Sequence, residues 1–136
     1  MEESLVDALA LRALPGLGDR YYKVLVDSYG CASRALYAGA TGRISGVENA
    51  ARLAGILAEK PDRAKAASEL AKVREMGLWA VSYGEPLYPP LLASIHDPPS
   101  ILYGTGDVRC LDSFAVAMVG SRKSTPHGMG AARKLA

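Results

Sequence analysis

The fold of this chain is decided near its C-terminal end, where residues 114–130 read FAVAMVGSRKSTPHGMG. Residues 114–119 are a continuous apolar run of strand length, which is typical of a strand buried on both faces in a parallel sheet. A polar turn follows, and Pro126 suits the first position of a helix because its missing N–H is not needed there. The stretch therefore predicts a strand, a turn and a helix, the repeating unit of an α/β fold.

The turn that follows this strand predicts a site for an anion. Ligand sites of open α/β sheets lie at the carboxyl ends of the strands, and a helix N-terminus favours negative charge. Ser121 offers a hydroxyl and Arg122 a planar guanidinium that suits phosphate, while Ser124 or Thr125 can cap the helix. The spacing is neither GxGxxG nor GxxxxGK[ST], so both nucleotide fingerprints are missing. The alternative is an ordinary loop in which Arg122 and Lys123 are merely solvated.

The first half of the chain, residues 1–77, predicts an all-α bundle of five short helices. Apolar residues recur there at helical spacing, and Pro and Gly separate the runs. The composition changes at Leu78, where two strand-like segments, 78–82 and 100–103, flank a connector rich in Pro and Gly. One helical turn is expected within residues 88–95. We therefore expect two parts, a helical domain at 1–77 and a connector with one βα unit at 78–136.

The overall class expected is α/β, in which the second part is the incomplete start of a Rossmann-like domain. A doubly wound domain needs several βα units, so we expect this sequence to be the front end or a fragment of a longer protein. Residues 114–119 have no obvious neighbour strand. We expect them to pair with the strands near 78–82 and 101–103, to pair with a partner chain, or to make the chain self-associate.

A second motif lies between the first two predicted helices, where residues 14–18 read LPGLG. It looks like a helix-hairpin-helix turn, because Pro ends the incoming helix and the glycines permit a tight turn with positive φ. Backbone N–H groups at the start of the next helix can then meet a phosphate. Gly16, Gly18, Arg20 and Lys23 are the secondary nucleic-acid contacts that this motif predicts. The alternative is a plain structural turn.

Composition excludes several function classes. The formal net charge is +2, so the chain as a whole gives no electrostatic argument for nucleic acid. Cys31 and Cys110 have no metal-ligand spacing, and His96 with Asp97 lacks a nucleophile or a second base. We expect no catalytic residues, no metal and no cofactor. Without a signal peptide or a long apolar run, we expect a cytoplasmic protein that does not contact the membrane.

Residues 114–130, together with YPPLL at 88–92 and DPPSILYG at 97–104, resemble the bacterial DNA processing protein A family (DprA/Smf). The resemblance implies a Rossmann-like domain preceded by a helical module that is SAM-like or helix-hairpin-helix-like. It also implies single-stranded DNA binding, protection of incoming DNA during natural transformation, DNA recombination, and loading of the RecA recombinase.

In that family the Gly-Ser-Arg turn lines a basic pocket that grips DNA phosphates. The resemblance carries this role to Gly120, Ser121 and Arg122, with Lys123 beside them. At His127 the family more often has Tyr, and an imidazole can also stack on a base or donate a hydrogen bond. The family's dimer and RecA surfaces are expected in parts of the domain that these residues do not include.

Two other function classes stay open. The first is a Rossmann-type nucleotide-binding enzyme resembling phosphoribohydrolases, which would need acidic catalytic residues that do not occur after Ser113. The second is a protein-interaction module that uses the helical bundle of residues 1–77.

Overall fold

The computed structural model describes residues 2–136 and has mixed α and β elements. Five helices come first: α1 (Glu2–Arg12), α2 (Asp19–Tyr29), α3 (Ala32–Ala40), α4 (Ala50–Leu57) and α5 (Arg63–Glu75). The second half contains β1 (Trp79–Ser82), a short helix α6 (Pro90–Ala93), β2 (Ile101–Gly104), a 3₁₀ turn (Val108–Asp112) and α7 (Pro126–Leu135). The five predicted helices, the two short strands, the single helical turn and the final helix are confirmed. The SAM-like, helix-hairpin-helix-like and Rossmann-like assignments stay predictions.

Helix α1 is the centre of the helical module. Its residues 7–11 are all buried, so it needs neighbours on every side, and it packs against α2, α3, α5 and β1. One of these buried residues is a carboxylate, Asp7, and its charge is met by the guanidinium of Arg63 at 2.5 Å. A buried charge is tolerated only when it is paired, so this contact fixes the start of α5 against α1.

The two strands form an antiparallel pair in which Trp79 lies opposite Gly104 and Ser82 lies opposite Ile101. Position 104 has no room for a side chain, because a Cβ there would overlap the indole ring of Trp79. Val81 and Ile101 are buried and join the core cluster of the helices. The sheet therefore closes one side of the helical module.

The connector after β1 is fastened to the helices and to itself. Tyr83 and Tyr88 are buried, and their rings meet edge to face with centroids 5.4 Å apart. The Tyr88 hydroxyl donates to the carbonyl of Pro99 at 2.7 Å. Between the two rings Gly84 has a φ of +89°, and a Cβ there would come within 2.6 Å of Cγ1 of Val26. Only glycine fits this close approach of the connector to α2.

The predicted strand at residues 114–119 does not form, and the predicted pairing with the strands near 78–82 and 101–103 is wrong. Among residues 2–136 the sheet has two strands, β1 and β2. Phe114 and Val119 are 98% and 95% exposed. A short apolar segment gains strand stability from a hydrogen-bonded neighbour and a covered face, and the described residues supply neither. Local pattern alone was therefore not sufficient to make a strand here.

Candidate nucleic-acid interface

The polar turn predicted to bind an anion lies fully in solvent. Gly120, Ser121, Arg122, Lys123 and His127 are all exposed. Among residues 2–136 no carboxylate forms an ion pair with either cation of this turn. The hydrogen-bonding groups of the turn are thus accessible to an external ligand.

The N-terminus of α7 is capped as predicted. The hydroxyl of Thr125 accepts a hydrogen bond from the N–H of Gly128 at 3.2 Å, and Pro126 occupies the first helical position. The N–H of Met129 donates to the carbonyl of Thr125 at 3.0 Å. Because proline has no N–H, His127 supplies the one first-turn N–H that has no partner among the described residues. Most of the attraction for an anion must therefore come from the side chains of the turn.

Charge is strongly divided along the chain. Four of the sixteen Lys and Arg side chains, and none of the fourteen Asp and Glu side chains, lie after Ser113. Residues 114–136 therefore carry a formal charge of +4, and the residues before them carry −2. All side chains of this C-terminal segment are exposed. A polyanion would meet a cationic surface here even though the whole chain is nearly neutral.

The LPGLG motif forms the predicted tight turn between α1 and α2. Gly16 has a φ of +81° and Gly18 a φ of +38°. The side chain of Arg20, however, is 3.1 Å from both carboxylate oxygens of Glu48. A phosphate at this turn would have to compete with that carboxylate for the guanidinium.

The second cation of this motif is held even more closely. The ammonium of Lys23 is 2.7 Å from Asp27 and 2.7 Å from the hydroxyl of Tyr83, which itself donates to Asp27 at 2.8 Å. The hydrogen bond from Lys23 to Asp27 raises the pKa of the ammonium above its ordinary value. Lys23 thus fastens α2 to the connector, and a phosphate would have to compete with Asp27 for its ammonium.

One contact at this helix end was missed by the sequence analysis. Asp19, the first residue of α2, accepts hydrogen bonds from the N–H of Ser100 at 2.9 Å and from its hydroxyl. The start of α2 therefore already has a carboxylate beside it, which weakens its attraction for a phosphate. The signal in the sequence was an aspartate directly after the last glycine of LPGLG.

Metal and membrane sites were searched among residues 2–136. They hold no cluster of three or more His, Cys, Asp and Glu side chains that could bind a metal ion. Every helix in this range falls short of the length and apolar character that a bilayer crossing needs.

Comparison with known proteins finds similarity in the second half of the chain. The family model described as DNA recombination-mediator protein A matches residues 79–136. Residues 79–136 are thus similar to the DprA family. The curated DNA processing protein DprA of Bacillus subtilis (strain 168) is similar, with 37% identity over 60 residues. The aligned part is 43% of this chain and 20% of the relative, so the match spans about a fifth of the relative's length.

The segment that matches the family model starts at β1, within the sheet that packs on the helices. It includes both strands, the connector and the cationic segment that ends the chain. The exposed turn at 120–123 lies within the residues that match this family.

Proposed function

We propose that this chain binds single-stranded DNA, and that Gly120, Ser121, Arg122 and Lys123 contact the phosphates. The observation that carries the proposal is the exposed segment 114–136, which has four cations and no carboxylate. Arg122 and Lys123 have no ion-pair partner among residues 2–136, so binding a phosphate breaks no existing contact. The guanidinium of Arg122 can meet a phosphate with two parallel N–H bonds.

His127 belongs to the same proposed site for a separate reason. Its backbone N–H is free and lies one residue inside a capped helix N-terminus, where an anion is favoured. Its exposed imidazole can stack on a base beside the bound backbone. Arg20 and Lys23 take a smaller part in the proposal, because both are already paired with carboxylates.

The proposed role is DNA processing in the cytoplasm, and it involves binding without a chemical step. Protection of incoming strands during natural transformation and loading of the RecA recombinase belong to the same proposal, following the family resemblance. They concern the whole length of a DprA-family protein, of which this match covers a fifth of the Bacillus subtilis relative.

Fluorescence anisotropy with labelled oligo-dT tests the site. Replacing Arg122 and Lys123 by alanine should weaken binding and reduce the slope of log K against log salt by about 1.4, since each lost single-strand phosphate contact contributes about 0.7. Replacing Arg133 and Lys134, at the other end of α7, removes the same charge from the same segment and is the matched control. Equal losses of affinity in the two double variants would mean that binding depends on the total charge of the segment and not on a site at the turn.

A thermal-shift measurement with AMP and NAD separates this proposal from a nucleotide-binding enzyme. A ligand at 100 times its Kd stabilises the folded state by about 2.7 kcal/mol. A clear upward shift with a nucleotide, combined with no oligo-dT binding, would replace the proposed function by the nucleotide-binding one.

A further inference from the structure

A second set of exposed cations lies on the helical module, far along the sequence from the turn at 120–123. Arg34, Arg43 and Arg52 are all exposed. Between residues 2 and 136, none of them is within ion-pair distance of a carboxylate. Arg12, Arg20 and Lys23 on neighbouring helices do form such pairs. The three free arginines thus differ from most cations around them.

Contacts with α2 bring two of these arginines, and the loop that carries the third, to the same helix. Tyr21 and Tyr29 are separated by eight positions, about two helical turns or roughly 12 Å along the axis, so they share a face. The guanidinium carbon of Arg52 lies over the Tyr21 ring, 5.2 Å from its centroid. The Tyr29 hydroxyl contacts the loop that carries Arg43, through the carbonyls of Arg43 and Ser45 at 3.4 Å.

The third arginine lies at the C-terminal end of α2. Gly30 directly follows Tyr29 and ends α2, and its Cβ position is 3.6 Å from a terminal nitrogen of Arg34. Arg52, the loop that carries Arg43, and Arg34 therefore contact α2 in turn between Tyr21 and Gly30. We call Arg34, Arg43 and Arg52 the arginine strip.

The charge near the arginine strip is positive on balance. Glu48 lies at one end, but both of its oxygens are already met by Arg20, at 3.1 Å each. Asp27 lies in the C-terminal half of α2. Its carboxylate accepts hydrogen bonds from Lys23 and Tyr83. Neither acid neutralises the three arginines.

The contact between Arg52 and Tyr21 also prepares a ligand site. The Tyr21 hydroxyl accepts a hydrogen bond from the side-chain amide of Asn49 at 3.2 Å, which helps to hold the ring in place. A guanidinium lying over an aromatic ring loses freedom before a ligand arrives, while its N–H groups stay available for a phosphate.

We propose that the arginine strip is a second contact surface for the backbone of single-stranded DNA. It shares the ligand class of the proposed function but none of its residues, so either surface can fail without the other. Nucleic acid is favoured over an acidic protein because arginine forks beside partly exposed tyrosine rings match a ligand that alternates phosphates and bases.

Anisotropy with labelled oligo-dT tests the strip in the complete 136-residue chain. The variant Arg34→Gln, Arg43→Gln, Arg52→Gln is compared with Lys60→Gln, Lys65→Gln, Lys72→Gln, which removes the same charge from exposed lysines. These lysines lie on or near α5, which packs mainly on α1 and β1. We expect about tenfold weaker binding for the arginine variant and a salt slope lower by about 2, from three contacts at about 0.7 each. The lysine variant should stay within about twofold of the parent protein.

Equal losses in the two variants, or no loss in the arginine variant, overturn the proposal. If the arginine variant does not fold, amide chemical shifts of the labelled parent protein decide. Oligo-dT should move the amide signals of Arg34, Arg43 and Arg52, and shifts confined to residues 113–136 overturn the strip while supporting the proposed function. If poly-glutamate moves the amide signals of the arginine strip and oligo-dT does not, the proposed DNA contact is overturned in favour of an acidic protein.

Discussion

The carboxylate of Asp19 accepts two hydrogen bonds from Ser100, one from its N–H at 2.9 Å and one from its hydroxyl. Asp19 is the first residue of α2, and Ser100 lies immediately before β2. Ser100 is buried, so its polar groups have little access to water as an alternative partner. The contact therefore joins the helical module to the segment that matches the DprA family, and it satisfies the polar groups of the buried Ser100.

Replacing Asp19 by alanine should lower the free energy of unfolding by about 2 kcal/mol, in the range of hydrogen bonds to charged groups. Urea unfolding measures the change as a lower midpoint at an unchanged slope. Asp97→Ala is the control, because that exposed carboxylate has no hydrogen-bond partner among residues 2–136. If both variants unfold at the same urea concentration, the contact contributes nothing to stability.

Two helical glycines should respond to alanine in opposite directions. A Cβ at Gly39 in α3 would lie 2.5 Å from Cβ of Leu57, whereas a Cβ at Gly55 in α4 would meet no atom within 4 Å. Gly39→Ala is expected to cost about 1–3 kcal/mol through overpacking. Gly55→Ala is expected to stabilise by up to about 1 kcal/mol through helix propensity. Thermal melts of both variants measure the change in melting temperature. Changes in the same direction would contradict the close packing of α3 on α4.

Alkaline pH should destabilise the fold. Burial raises the pKa of Tyr88 from 10.0 to about 12, and burial with the hydrogen bond to Glu69 raises that of Tyr103 to about 12. Because the folded state favours the neutral phenol, this stabilisation is complete below pH 10 and is lost as the pH rises towards 12. The raised pKa of Lys23 acts in the same direction, since its ammonium contributes until it loses its proton.

Ultraviolet absorbance of tyrosinate measures this effect. We expect three of the seven tyrosines, Tyr22, Tyr88 and Tyr103, to ionise late in the parent protein because burial raises the pKa of each, and one fewer in Tyr88→Phe. The free energy of unfolding should decline between pH 10 and 12 in parallel. An unaltered absorbance curve for Tyr88→Phe would contradict the raised pKa of that phenol.

Removing residues 113–136 should leave the melting temperature nearly unchanged, because every one of them is exposed. We expect a shift below about 2 °C, whereas a loss of 1 kcal/mol would lower the melting temperature of such a domain by about 4–8 °C. Hydrogen exchange of the parent protein should be fast at residues 114–119 for the same reason. Slow exchange there would show that the segment is covered by another chain.

A longer truncation tests the predicted boundary after residue 77. Removing residues 78–136 deletes Val81, Tyr83 and Ile101 from the core cluster and leaves Asp19 and Lys23 without their partners in the second half. We expect this piece to melt far below the piece that ends at Asp112. Equal melting temperatures of the two pieces would instead make residues 1–77 an independent domain.

Helices were predictable from the sequence because their causes are local. Pro15, Gly30 and Gly77 separate the apolar runs, and helical hydrogen bonds connect residues four apart. Strand pairing is not local. The pattern at 78–82 and 100–103 predicted strands but not that they pair with each other. The same reasoning failed at 114–119, where the described residues supply no neighbour.

The candidate interface shows the same division. The absence of carboxylates after Ser113 and the cap at Thr125 follow directly from the residues. Whether a cation is free depends on distant partners, however, and periodicity does not report them. Lys23 is held by Tyr83, sixty positions away, and Arg52 lies over the ring of Tyr21.

The separation of charge along the chain, +4 after Ser113 and −2 before it, has a kinetic consequence. A molecule with its positive charge concentrated at one end has a dipole, and the field of a polyanion turns that dipole during diffusion. The C-terminal segment would then reach the polyanion first, and a larger share of encounters would begin in a productive orientation. Salt would reduce this orientation before any contact is made, so it would act on the association rate as well as on the bound state.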